Sequence, residues 1–217
     1  MHGAGGGGWE WGVWVRVLRA AGWQALAPDL QPAPHGLAAT ALEDYSQQVG
    51  AWLGATTRPR VLVGASLGGR LAMLHAAAAE ALVLVNPMPP GGMDVPRAEG
   101  IKPWGRGASL HGTRRALPDA DDLAAQYAFR RWRDESARVL HEASQPLAAA
   151  RPACPVLVFA SGQDADVPAE SSAALANAWQ ASLVRLPGSH VGPLLGRQAA
   201  RAAAQAVEWL NALDLPR

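Results

Sequence analysis

Gly64-Ala65-Ser66-Leu67-Gly68 sets a serine between two glycines, directly after the apolar run Val61–Val63 and before a helical pattern. In that setting small residues at 64 and 68 let a strand and a helix cross closely, while the serine takes a strained conformation and projects its hydroxyl. Ser66 is thus the candidate nucleophile. A serine hydroxyl attacks weakly at neutral pH, so it needs a base to take its proton and an acid to orient that base. Both follow in order. The apolar run Val156–Ala160 leads into a loop carrying Asp164 and Asp166, and Leu183–Leu186 leads into Pro187-Gly188-Ser189-His190. On spacing alone either carboxylate is available to His190. The fourth element is His2-Gly3-Ala4-Gly5-Gly6-Gly7-Gly8-Trp9, whose backbone can approach a substrate oxygen closely. The N–H groups of Ala4 and Leu67 would form a two-donor oxyanion hole, with His2 shaping the loop. The chemistry of such a set is acyl transfer through a covalent intermediate.

Residues so far apart must be gathered by a scaffold. Short β-type runs at Gln24–Ala27, Arg60–Val63, Ala81–Val85, Pro155–Ala160 and Ser182–Leu186 alternate with helical patterns at Trp11–Ala21, Thr40–Leu53, Leu67–Ala79, Ala169–Trp179 and Arg197–Ala212. Such alternation predicts a mostly parallel sheet with helices on both faces. Sites in open sheets of this kind assemble at the carboxyl ends of strands, which is where Ser66, the acidic loop and His190 fall. The alternation breaks between Met88 and Arg151, bounded by Pro89-Pro90-Gly91-Gly92 and Arg151-Pro152. This divides the chain into a first core segment, 1–87, an inserted cap, 88–151, and a second core segment, 152–217. Cap helices are expected at Asp119–Trp132 and Glu135–Leu147.

With 217 residues, 49% of them hydrophobic, the chain can bury one sizeable core. A formal net charge of +1 gives no broad basic field, which argues against nucleic acid or an anionic membrane as partner and for a small-molecule substrate. Cys154 is the only cysteine, so no intramolecular disulfide forms, and the chain reads as cytoplasmic. No apolar run approaches the roughly 20 residues of a membrane span. His35, His111 and His141 show no ligand spacing, and neither a metal nor a cofactor is expected. Trp11 and Trp14, three residues apart, are assigned to the core, and Arg130, Arg131 and Arg133 to a solvated face. Trp9, Met88, Trp104 and Trp132 are candidate walls of a substrate pocket.

Taken in order, His2-Gly3 with its Gly-rich loop and Trp9, Ala27-Pro28-Asp29-Leu30, Gly64-Ala65-Ser66-Leu67-Gly68-Gly69, Asp164-x-x-Val167-Pro168 and Gly188-Ser189-His190 resemble the motifs of the α/β-hydrolase superfamily. The resemblance spans nearly the whole chain except the cap. It implies an α/β-hydrolase fold with a small helical cap over the serine, and it selects Asp164 over Asp166. The family's other acid position holds Asn86, which supplies no carboxylate. Family members carry further strands ahead of the His-Gly loop, so N-terminal strands look absent here, one or two apolar strands are expected upstream of Met1, and the runs near Leu62 and Ala25 are expected to lack a pairing partner. The resemblance implies a serine hydrolase of the esterase type acting on a small carboxylic ester or related acyl compound. Acyl transfer, hydroxynitrile cleavage, perhydrolysis, a non-catalytic ligand-binding homologue and an inactive truncated form are the alternatives. Neither substrate identity nor oligomeric state is encoded legibly.

Overall fold

A computed structural model describes residues 1–148 and 150–215. Four strands, β1 (Val61–Ala65), β2 (Ala81–Val85), β5 (Val156–Ser161) and β6 (Ser182–Leu186), form an all-parallel sheet in the order β1-β2-β5-β6. Every residue of β2 and β5 is buried, which explains why these two runs are apolar throughout instead of alternating. Helices α2 (Leu42–Gly54), α3 (Leu67–Leu74) and α7 (Ala169–Trp179) cover one face, packing Tyr45, Val49, Leu71 and Leu175 against Leu82, Leu84 and Val158. Helices α1 (Gly12–Ala20) and α9 (Ala199–Ala212) cover the other, with Trp14, Ala202 and Ala206 against Val83, Val85 and Phe159. Trp11 and Trp14 belong to this core: their rings meet edge to face at 5.5 Å, and Trp14 meets Phe159 at 5.8 Å. A one-turn helix, α8 (Gly192–Leu195), follows His190, and Trp14 donates its indole N–H to Pro193 O at 2.8 Å.

The expected strand Gln24–Ala27 is not one. A strand exists only with a ladder partner, and here a slot of about 820 Å3 separates residues 24–28 from the edge of β1, walled by Leu18, Leu26, Leu53 and Leu62. Met1 reaches that edge, donating its amine to Val63 O and accepting from Ala65 N at 3.1 Å, the pattern of a single parallel bridge.

The cap also differs from expectation. Within the expected helical stretches Asp119–Trp132 and Glu135–Leu147 lie the shorter α5 (Asp122–Phe129) and α6 (Ala137–Ser144), and the cap adds α4 (Leu110–Ala116) and a two-residue antiparallel pair, β3 (Ile101–Lys102) with β4 (Glu135–Ser136). Helix starts are fixed by side-chain caps: Ser109 accepts from Gly112 N, Asp121 from Ala124 N and Ser136 from Val139 N. Arg133 leaves the expected solvated face. It turns inward to pair with Asp29 at 3.4 Å and to donate to Leu30 O.

Candidate functional site

Ser66 stands at the junction of β1 and α3 with φ 51° and ψ −116°, a conformation that costs a non-glycine residue of order 1–3 kcal/mol. Surrounding backbone holds it there: Ser66 N donates to Val85 O at 3.1 Å, and Ser66 O accepts from Arg70 N at 3.1 Å and Met88 N at 3.2 Å. The flanking glycines are required by contact. A Cβ at Gly64 would collide with the backbone at Gly68, and one at Gly68 with the carbonyls of Met1 and His2.

That second contact brings the Gly-rich loop beside the serine, and a methyl group on Gly3 would touch Ser66 Cβ at 3.4 Å. Leu67 N–H opens helix α3 and has no acceptor within it. His2 shapes the loop: its Nε2 accepts from Leu30 N at 2.9 Å, which puts the proton on Nδ1, 2.8 Å from Gly3 O. Burial, first among several influences, pushes its pKa down to about 4, so the ring stays neutral.

Two groups invisible as motifs complete the loop. Glu135 in the cap, 3% exposed, accepts from Gly5 N at 3.1 Å, Tyr45 OH at 2.9 Å and its neighbour Ser136 N at 2.8 Å, while Arg133 N donates to Gly5 O at 2.7 Å. The cap therefore grips the loop one residue beyond Ala4. Glu10 lies under the loop, 2% exposed, its carboxylate against Gly6. Burial raises its pKa to about 8 against the opposing pull of hydrogen bonds from the Gly3 and Gly7 backbone. An acid inside Trp9-Glu10-Trp11 is the one hint the sequence offered.

At the ends of β5 and β6, Asp164 Oδ2 lies 2.7 Å from His190 Nδ1. The Asp164 side chain is fully buried and its Oδ1 accepts the N–H groups of Asp166 and Val167, both at 2.8 Å. Asp166 itself is exposed and makes no bond to the ring. Burial disfavours a charged His190, yet the hydrogen bond and charge of Asp164, with Asp166 beyond, outweigh it and raise the pKa. Ligand-type atoms of Asp164, Asp166 and His190 lie within 4.8 Å of one another, but both Asp164 oxygens are engaged by N–H groups. Such a set favours a hydrogen-bonded pair over a metal centre. Ser66 and His190 make no hydrogen bond to each other among the described residues.

Asn86, at the position where a carboxylate was the alternative, is 1% exposed with φ 44°. Its Nδ2 donates to Ser161 Oγ at 2.9 Å and His190 O at 2.7 Å, and its Oδ1 accepts from Ser161 N at 2.8 Å. It stitches β2, β5 and the histidine loop together beside Ser66.

Of the candidate pocket walls, Trp9 meets Tyr127 and Trp132 of the cap edge to face at 5.7 and 5.3 Å. Trp104 lies over Gly5 and is 45% exposed. Met88, 4% exposed, belongs to the core and touches the site through its backbone bond to Ser66.

Residues 1–206 match the sequence pattern described as "Alpha/beta hydrolase family". No curated protein sequence matches the chain. Among solved structures, similarity extends to a methylesterase from Arabidopsis (16% identity, 98% of each chain, TM-score 0.75). A pyrethroid hydrolase from Sphingobium faniae is similar at 20% identity over 98% of this chain and 97% of that one, TM-score 0.71. An esterase from Thermogutta terrifontis is similar at 19% identity over 97% and 88%, TM-score 0.73.

Proposed function

Since the chain belongs to the alpha/beta hydrolase family, we propose that it is a serine hydrolase cleaving small carboxylic esters or related acyl compounds. Ser66 attacks the carbonyl carbon, its proton passing to His190 Nε2. Asp164 keeps the proton of the neutral ring on Nδ1 and stabilises the imidazolium. The N–H groups of Ala4 and Leu67 hold the oxyanion. His190 then protonates the departing alcohol, and a water molecule, deprotonated by the same ring, releases the acid from Ser66. The observation carrying this reading is the 2.7 Å contact between buried Asp164 and His190, at the strand ends beside a serine in a strained turn. Trp9, Trp104 and Trp132 supply apolar walls on the cap side, suiting an ester with an apolar acyl or alcohol group. No helix among the described residues is long and apolar enough to cross a membrane, and the proposed substrate is a dissolved small molecule.

The test is intact mass after exposure to a fluorophosphonate probe. Stoichiometric labelling that disappears in Ser66→Ala is expected. A folded protein that stays unlabelled would overturn the proposal.

A further inference from the structure

The cap touches the histidine loop as well as the Gly-rich loop. Between α4 and α5 a turn at 117–120 projects Asp119 across to the loop that carries His190. Its Oδ1 accepts the Ser189 hydroxyl at 2.6 Å and its Oδ2 the Ser189 N–H at 3.3 Å, while its backbone carbonyl accepts Arg197 N at 3.1 Å. Ser189 is 4% exposed and immediately precedes His190.

The seat for this carboxylate is built from absences of side chain. Gly188, Gly192 and Gly196 all face it, and a Cβ on any of the three would come within 3 Å of Asp119 Oδ2. Gly188 also has φ 109°, a conformation that side chains rarely adopt. Pro118 precedes the aspartate, and Leu117, 2% exposed, anchors the turn. The segment is thus held at both ends of one short contact. Nothing in the proposed reaction consumes Asp119, and neither oxygen reaches the ring of His190.

We propose that Asp119 is a positioning residue for His190, a latch from the cap that fixes Ser189 through its hydroxyl and N–H, and with it the neighbouring histidine, so that the ring meets Asp164 on one side and faces Ser66 on the other. The opposite side of the same loop is tied by Asn86 to His190 O and by Gln163 N to Gly188 O at 3.0 Å. Gly192 N donates to Ser189 O at 3.2 Å from the chain that follows, and among the described residues Asp119 supplies the side-chain restraint that comes from the cap. Docking of the cap and alignment of the base are then a single event.

This inference rests on the proposed function for its kinetic consequence but has a readout of its own. In 15N-imidazole NMR, His190 of the parent protein is expected to titrate above the ordinary histidine value of about 6.5, under the influence of Asp164 and Asp166, with buried Glu10 neutral beside it. In Asp119→Ala its midpoint falls toward that ordinary value, because a loosened ring spends less time on Asp164. With an ester substrate, kcat falls on the order of 10- to 100-fold and KM by less than about twofold, the signature of misplacement rather than lost binding. Asp119→Asn retains an oxygen for the Ser189 hydroxyl and restores most of both properties. Should Asp119→Ala fail to fold in a thermal melt, Ser189→Ala, which removes the 2.6 Å bond alone, decides by the same two measurements. An unchanged His190 titration in a folded variant overturns the proposal. A moved titration in a protein whose parent neither labels nor turns over esters supports the latch and counts against the serine hydrolase.

Discussion

Glu10 offers the sharpest quantitative prediction. Its carboxyl is 2% exposed, and one oxygen, Oε2, is buried without a hydrogen-bond partner. The folded protein therefore keeps the proton up to about pH 8, whereas the unfolded chain releases it near 4.5. Between those values unfolding liberates one proton, so each pH unit lowers stability by about 1.4 kcal/mol; the contribution is fully present below pH 4.5 and gone above 8. From pH 5 to 8 the loss is about 4 kcal/mol, a large share of the 5–15 kcal/mol typical of a domain. Glu10→Gln has nearly the same shape and never ionises. Urea unfolding of both proteins at pH 5, 6, 7 and 8 and constant ionic strength yields two stability curves, and the variant should gain on the parent steadily by about 1.4 kcal/mol per unit. A difference between the two that stays flat from pH 5 to 8 would refute the claim that this carboxyl is held neutral by burial.

Further outcomes are expected at four positions. Activity should fall as pH drops through the raised His190 pKa, placing the acidic limb of the rate profile above about 6.5, and Asp164→Asn should lower kcat on the order of 10⁴-fold, as in the Ser-His-Asp template; steady-state kinetics across pH reads both. Glu135→Ala strips the acceptor from three buried donors, Gly5 N, Tyr45 OH and Ser136 N, and should cost about 3–5 kcal/mol in denaturant unfolding together with roughly 100-fold in kcat as the oxyanion loop loosens. Trp14→Ala and Trp14→Phe both orphan Pro193 O; the first also empties a fully buried ring site, for a loss of about 3–5 kcal/mol, while the second keeps most of the ring and should cost about 2 kcal/mol, as thermal and urea melts would show.

The parts of the site that sequence exposed are those whose chemistry is tied to a strand end. Ser66 follows a five-residue apolar strand, and the aspartate loop and His190 follow two others, so the apolar runs point at them. Gln24–Ala27 has the same local look, but strand formation depends on a neighbour and the neighbouring space is a slot, a fact no local pattern records. The cap misled for a related reason. Ser109, Asp121 and Ser136 are good helix caps, yet only tertiary placement reveals where each helix ends and that Glu135–Ser136 pairs with Ile101–Lys102 immediately before Ser136 caps α6. Asn86, Asp119 and Glu135 escape sequence reading because each acts through a partner between 70 and 130 residues away. Arg133 is indistinguishable from its neighbours in the sequence because three arginines within four positions look alike until one finds Asp29 and Leu30.

Asn86 has a consequence for how this scaffold can change. Its amide gives two N–H bonds to Ser161 Oγ and His190 O and takes one from Ser161 N, so donors and acceptors are matched in number and direction. A carboxylate of the same size would turn an oxygen toward the His190 carbonyl, setting lone pair against lone pair in a buried place. Moving the acidic partner of the histidine from the end of β5 to the end of β2 is therefore closed to a single substitution. The exchange needs a second change that re-routes the histidine carbonyl, and a lineage carrying only one of the two would hold a folded sheet with a misaligned base.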